Sequence, residues 1–224
     1  MTATSALTEA LGHEFACKEL LRQALTHRSF GVPHNERLEF LGDGVLNFVI
    51  ASLLYQRFPE QPEGDLSRLR SHLVKELALS ELAASLDLGN YLLLGDGELK
   101  SAGRSRPSVL ADAVEAIIGA TYLDGGFAAA EALVTRLYTP LFETLDPKSV
   151  GKDPKTLLQE YLQGRKLGLP EYAVVATVGE AHCQTFRVEC RILVLDVCTV
   201  GEGSSRRAAE QLAASNAYQE INHD

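Results

Sequence analysis

Hydrophobic and polar positions change period once along this 224-residue chain. Through residue 145 the apolar positions recur at three and four, as in KELLRQALTH, DLSRLRSHLVKELALSELAASL and AAAEALVTRLYTPLFETL. That is the spacing of helices with one face against a core. The breaks FGVPHN, FPEQPEGD, LGDGELKSAGRSRPS and LDGGF are rich in Gly, Pro or Ser and end those segments. No strand alternation interrupts them, so this part predicts an all-α domain of about seven helices. The stretch DPKSVGKDP, residues 146–154, then reads as a linker, with two Pro, a Gly and mixed charge. Beyond it PKTLLQEYLQGRKL predicts a helix with Pro154 in its first turn. Alternation follows: Tyr172, Val174, Ala176 and Val178 share one parity, as do Phe186, Val188 and Cys190, and a third strand falls within LVLDVCTVGEG. SSRRAAEQLAASNAYQEI closes the chain as a helix. The boundaries expected are a helical domain over 4–127 with an extension to about 145, a linker over 146–153, and a helix–three strands–helix domain over 154–224.

Two of the helices carry charge in an unusual place. In NERLEFLGDGVLNFVI, residues 35–50, Glu36, Glu39 and Asp43 stand at offsets of three and seven. At about 100° per residue they fall within an arc of roughly 60°, with Asn47 beside them. Leu38, Leu41, Val45, Phe48 and Val49 fill the opposite arc and are expected to pack. A solvated face usually mixes signs at i and i+4, whereas no Lys or Arg lies in this arc. The second helix, SVLADAVEAIIGATYL (108–123), is apolar nearly all round, which predicts burial. Yet it carries Asp112 and Glu115 one turn apart, with Gly119 on the same stripe allowing another backbone close.

Buried carboxylates are costly unless a cation or metal partners them. Arg68 or Arg70 could neutralise Asp112 and Glu115. Alternatively, the two stripes face each other and their carboxylates converge into a hard oxygen site suited to Mg²⁺ or Mn²⁺. A redox di-iron site would want E-x-x-H on two helices, and the one such pair, Glu220 to His223, lies at the chain terminus. A Mg²⁺ site points to phosphate chemistry, in which the ion activates water and stabilises charge on the leaving oxygen.

Overall charge complicates a nucleic-acid partner, since the net is −9. Residues 1–150 carry 13 Lys+Arg and 20 Asp+Glu (−7), and residues 151–224 carry 8 and 10 (−2). In the second part the cations cluster: Lys152 and Lys155, Arg165 and Lys166, Arg206 and Arg207. No secretory signal and no apolar run of about 18 residues is apparent, so a cytoplasmic protein without a membrane partner is expected. Cys17, Cys183, Cys190 and Cys198 show no metal-knuckle spacing and are expected reduced and mostly buried.

NERLEFLGD resembles the signature of bacterial ribonuclease III, and THRS (26–29), GDLSRLR, GELKSAGR and LADAVEAIIGA stand in that family's order. The tail, DPKTLLQEYLQ…GEAH…GEGSSRRAAEQLAA, is similar to its double-stranded RNA-binding domain. The resemblance spans nearly the whole chain. It implies a multi-domain α and α+β protein: an all-α ribonuclease III-type endonuclease domain followed by an α-β-β-β-α double-stranded RNA-binding domain. The implied activity is hydrolysis of double-stranded RNA with Mg²⁺, Mn²⁺ able to substitute, by a homodimer joined through the catalytic domain. Products would carry 5′-phosphate and 3′-hydroxyl ends, and the implied role is processing of ribosomal RNA precursors and structured messenger RNAs. The family's metal-binding carboxylates fall on Glu39, Asp112 and Glu115, and its catalytic Asp on Asp43, with Glu115 essential for cleavage. Glu36 and Glu63 match further acidic positions, Glu63 being expected in a loop.

Duplex RNA is read through its shape, 2′-hydroxyls and phosphates. Thr156, Gln159, Glu160 and Gln163 fall on one polar face of the first tail helix, suited to hydroxyls in a minor groove and equally to plain solvent. His182 lies in the turn VGEAHC, which in the family enters the next minor groove. Arg206 and Arg207 open the last helix, where cations oppose the macrodipole unless an anion is near; RNA phosphates are the expected anion. Glu210 stands where the broader domain pattern often has Lys. Two rivals remain at this level: an RNA-binding protein with a decayed nuclease domain, and an all-α metal-dependent nucleotide pyrophosphohydrolase.

Overall fold

A computed structural model describes residues 3–145, 147, 152–179 and 184–222, and the chain divides into two compact units, Met1–Val150 and Gly151–Asp224. The described residues of the first unit form seven α-helices and two short 3₁₀ turns. The helices are α1 (Ala3–Leu11), α2 (Lys18–Ala24), α3 (Glu36–Arg57), α4 (Glu63–Leu73), α5 (Glu76–Ser85), α6 (Asp96–Lys100) and α7 (Pro107–Thr144). Helix α7 starts at Pro107, whose missing N–H is no loss in a first turn. It is interrupted within LDGGF by Gly126, at φ +76° and ψ −175°, a conformation open to Gly. Just before the break, Asp124 accepts the Cys17 N–H at 2.8 Å and the Ala16 N–H at 3.0 Å, and lies 2.8 Å from His13 Nε2. Those backbone bonds hold its carboxyl below the usual range.

Helices α3 and α7 lie against each other at the centre, and the remaining helices pack around them. The crossing is a backbone contact. A Cβ at Gly42 would sit 1.8 Å from the Glu115 carbonyl oxygen, and one at Gly119 would sit 2.2 Å from that of Leu38. Two residues without side chains let the helices meet closer than any other pair allows. Both helices are long and apolar enough to meet the composition of a membrane span, although charged residues interrupt each and neither holds an unbroken apolar run of about 18 residues. Each is a core helix here, with the buried stripe of one packed on the other.

The second unit has the order α8 (Pro154–Gly164), β1 (Glu171–Val178), β2 (Thr185–Ile192), β3 (Val197–Gly203) and α9 (Arg206–Asn222). The Asp153 side chain caps α8 by accepting the Thr156 N–H at 2.9 Å. The strands form an antiparallel sheet in the order β1-β2-β3. Leu158 and Leu162 of α8, Cys190 and Ile192 of β2, and Ala213, Ala214 and Ala217 of α9 make its core. Small residues on α9 bring it down onto β3, where a Cβ at Gly201 would meet the Ala209 carbonyl oxygen at 2.3 Å. The expected unbroken parity of β1 fails. The register shifts between Val174 and Ala176, a bulge on an edge strand, and Val174, Val175 and Val178 are exposed. Of the three described cysteines only Cys190 is buried; Cys17 and Cys198 are exposed free thiols.

Candidate active site and nucleic-acid interface

The α3–α7 crossing sets the acidic site. Glu39 comes from α3, and Asp112 and Glu115 from the first turns of α7, 73 and 76 residues further on in sequence. One carboxylate oxygen from each lies within 4.8 Å of the other two. All three side chains are half-buried. Asp43, one turn beyond Glu39, is exposed and accepts a hydrogen bond from Asn47 Nδ2 at 2.7 Å. Glu36, also exposed, is 3.3 Å from Arg28 Nη1 and 3.8 Å from His34 Nδ1.

Crowding shows in the proton affinities. Burial, then the charges of Asp43, Glu39 and Asp112, pushes Glu115 up to about 8. Burial raises Glu39, and Asp112, Glu36 and Asp43 add to it. Burial raises Asp112 as well, against a pull downward from His27 and Arg28. A carboxylate that clings to its proton at neutral pH lacks positive charge nearby. Glu115, with three carboxylates and no cation acting on it, is therefore set to exchange its proton for a cation.

Several expectations change. The buried stripe of α3 is Leu38, Gly42, Leu46, Val49, Ile50 and Leu54, about a quarter turn nearer the acids than the sequence indicates. The cause is Gly42, which draws α7 onto its own side. Leu41 and Val45 are consequently only half-buried, and Phe48, expected in the core, is 62 % exposed, with Phe40 at 83 %. The acidic arc is not free of cations either, because Arg28 reaches Glu36 from the preceding loop. Arg68 pairs with Asp65 at 2.7 Å; the side chains that pull Asp112 downward are His27 and Arg28 instead. Glu63 is the first residue of α4 rather than a loop residue, and accepts a hydrogen bond from Ser67 Oγ at 2.6 Å.

Sequence reasoning missed Gly42, Arg28 and Arg106. Arg106 pairs with Glu98 at 2.9 Å, and these residues line a polar hollow with His27, Glu39 and Asp112. A glycine in the middle of a helix, costly relative to Ala, was the available signal for Gly42.

In the second unit Thr156, Gln159 and Gln163 are exposed along α8, and Arg206 and Arg207 are exposed at the start of α9. Glu160, on the same face, is ion-paired to Lys152. Thr156, Gln159, Arg206 and Arg207 line one open cleft with Lys155 and Glu210. The local anion that Arg206 needs is already in place, since Glu210 lies one turn on at 2.8 Å. An RNA phosphate is thus not required to explain that arginine's position. His182 lies outside the described residues.

Comparison with known proteins bears on both units. A family profile described as Ribonuclease-III-like matches residues 17–141, and the double-stranded RNA binding motif matches residues 154–221. "Ribonuclease 3" of Bordetella pertussis is 59% identical over 221 residues, covering 98% of this chain and 86% of that protein. "Ribonuclease 3" of Cupriavidus taiwanensis is 58% identical over 216 residues, 96% and 84% respectively. The crystal structure of the nuclease domain of Campylobacter jejuni ribonuclease III superposes with a TM-score of 0.62 at 44% identity, over 65% of this chain and all of that one. A second structure of that domain, at 0.60 and 45%, is described for structural flexibility in the region involved in dimer formation; it covers 62% of this chain and 97% of that one.

Proposed function

The chain belongs to the ribonuclease III family and is an endoribonuclease of double-stranded RNA, and from that premise we propose that Glu39, Asp112 and Glu115 hold its divalent cation, Mg²⁺ with Mn²⁺ able to replace it. The observation that carries this reading is the set of three half-buried carboxylate oxygens within 4.8 Å of one another. Their chemistry fits: all donors are hard oxygens, and Glu115 is protonated to about pH 8 without a cation. When bound, such an ion supplies Lewis-acid activation of water and stabilises charge on the leaving oxygen.

Asp43 stands at the exposed rim of the cluster, held by Asn47, and takes the proton of the attacking water. The new P–O bond forms as the P–O3′ bond breaks; O3′ leaves as an alkoxide and takes a proton from solvent water to become a hydroxyl, and the phosphate stays on the 5′ end of the other product. Glu36 and Glu63 are supporting acids; Glu36 fixes Arg28 at the rim.

In the tail, beyond a linker at 146–153, Thr156, Gln159 and Gln163 meet 2′-hydroxyls, and Arg206 and Arg207 meet phosphates. His182 enters a neighbouring minor groove. Each chain brings one acidic cluster, and two strands need two cuts, so the working unit is a symmetric homodimer of catalytic domains. The exposed aromatics Phe40, Phe48, Tyr55 and Phe127 of α3 and α7 supply a surface that gains by being covered. The cellular role in this reading is cytoplasmic processing of ribosomal RNA precursors and structured messages. The test is Glu115→Gln in paired cleavage and gel-shift assays on one duplex. Cleavage should fall by orders of magnitude while binding survives, and near-normal cleavage would overturn the metal-site assignment.

A further inference from the structure

One carboxylate occupies two of the three cations in the tail cleft. Glu210 Oε2 accepts from Lys155 Nζ at 2.7 Å, and Glu210 Oε1 accepts from Arg206 Nε at 2.8 Å. The Glu210 side chain is only 13 % exposed, and Lys155, then Arg206, hold its carboxyl below the usual range. Lys155 is fixed from other sides as well. Its ammonium lies 4.2 Å from the centre of the Tyr172 ring, and its backbone N–H donates to Gln211 Oε1 at 3.1 Å. Arg207 makes no ion pair among the described residues and is exposed. Lys155, Arg206 and Arg207 contribute +3 to the cleft, and Asp153 and Glu210 contribute −2, which leaves +1. Asp153 is committed to capping α8, so Glu210 is the anion that bears on the cations.

A carboxylate and a phosphate make the same demand on an ammonium and a guanidinium: short, charge-assisted N–H···O bonds. A backbone phosphate entering this cleft finds those donors already bonded. We infer that Glu210 is a built-in competitor for the RNA phosphate, holding Lys155 and Arg206 when the cleft is empty and setting the strength of the grip when it is filled. The inference rests on the reading above that this cleft takes RNA phosphates. Binding is an exchange, in which phosphate oxygens replace the carboxylate on one or both donors. Glu210 stays covalently in place, and its charge subtracts from the positive charge the cleft can offer the duplex. Counterions leave the RNA in proportion to the phosphates neutralised. One retained carboxylate therefore reduces both the affinity and its dependence on salt.

The experiment compares the full chain with its Glu210→Gln and Glu210→Ala variants and with the Arg206→Ala/Arg207→Ala double variant. Dissociation constants are measured from 50 to 200 mM salt on two unrelated duplexes, in excess chelator, with each duplex checked as uncut. Either Glu210 variant should bind about tenfold tighter at 50 mM and about threefold tighter at 200 mM, a slope steeper by about one. The gain should be equal on both sequences and should appear in the dissociation rate. Gln and Ala both remove the anion, so one folded variant, confirmed by circular dichroism, is sufficient. Unchanged or weaker binding with unchanged slope, alongside a weakened arginine double variant, overturns the competitor role alone and makes Glu210 a brace for its neighbours. An arginine double variant that binds like wild type overturns the phosphate reading of the cleft and this inference with it.

Discussion

Replacing Glu115 by Gln should stabilise the metal-free protein while it abolishes cleavage. In the folded chain this carboxyl keeps its proton to about pH 8, whereas its ordinary value is 4.5. Between those values the folded state binds more protons than the unfolded state, so stability falls as pH rises. Each unit crossed costs about 1.36 kcal/mol, so the penalty from 4.5 to 7 comes to about 3 kcal/mol and levels off above pH 8. Relaxation and water entry reduce it, and a measured gain of about 1–3 kcal/mol is expected for the variant at pH 7. Gln has the same shape and no charge, so the gain should shrink to nothing as pH approaches 4.5. The assay is urea unfolding of the helical unit in excess chelator from pH 5 to 8.5. Mg²⁺ at a thousand times its dissociation constant should reverse the order, because binding to the folded state alone then adds about 4.1 kcal/mol to the wild type. A variant no more stable than wild type at pH 7 in chelator, or a gap that ignores pH, would refute the account of a cation-starved cluster.

Gly42→Ala places a methyl 1.8 Å from the Glu115 carbonyl oxygen. With backbone on both sides it should cost about 3 kcal/mol in unfolding assays and about a hundredfold in cleavage through misplaced carboxylates; wild-type behaviour in both would contradict the close crossing. Ca²⁺, larger and looser in coordination than Mg²⁺, should support duplex binding without cleavage, and Mn²⁺ should support both; full activity in excess chelator would remove the metal from the mechanism. Residues 1–150 alone should sediment as a dimer, and Phe40→Asp should shift them to monomer; a monomeric wild-type fragment at micromolar concentration would exclude an interface on this unit. Tyr138→Phe removes the hydroxyl that donates to the Leu73 carbonyl oxygen at 3.1 Å inside the core; it should cost about 1–2 kcal/mol of stability with cleavage unchanged at permissive temperature.

The helical and strand periods made the architecture legible, because apolar spacing follows directly from which face is buried. The acids of α3 and α7 were legible as stripes for the same reason. What the sequence did not disclose was rotational. Placing Phe48 in the core required knowing that α3 turns Gly42 toward Gly119, and a glycine contributes nothing to an apolar pattern. Arg28 was invisible because its partner Glu36 belongs to another element, beyond the reach of i and i+4 rules. The bulge at β1 escaped notice since Val174, Val175 and Val178 look alike to any count of hydrophobic residues. In the tail, the dipole argument for Arg206 was sound in its physics but overlooked an anion within the same helix, Glu210 one turn along, which pairs with Arg206 when no RNA is present.

The interruption at Gly126 has a mechanical consequence. A continuous helix is a shaft: one inserted residue twists everything beyond it by about 100°. Helix α7 is two shafts joined by a slipping coupling, with Asp124 bolting the upstream end to the backbone of Ala16 and Cys17. Upstream, the angular phase of Asp112, Glu115 and Gly119 is locked to α3. Downstream, Val134, Tyr138 and Phe142 take their phase from the core they enter. Residues 126–128 between them are exposed, so a length change there alters the timing of the distal segment and transmits no torque to the acids.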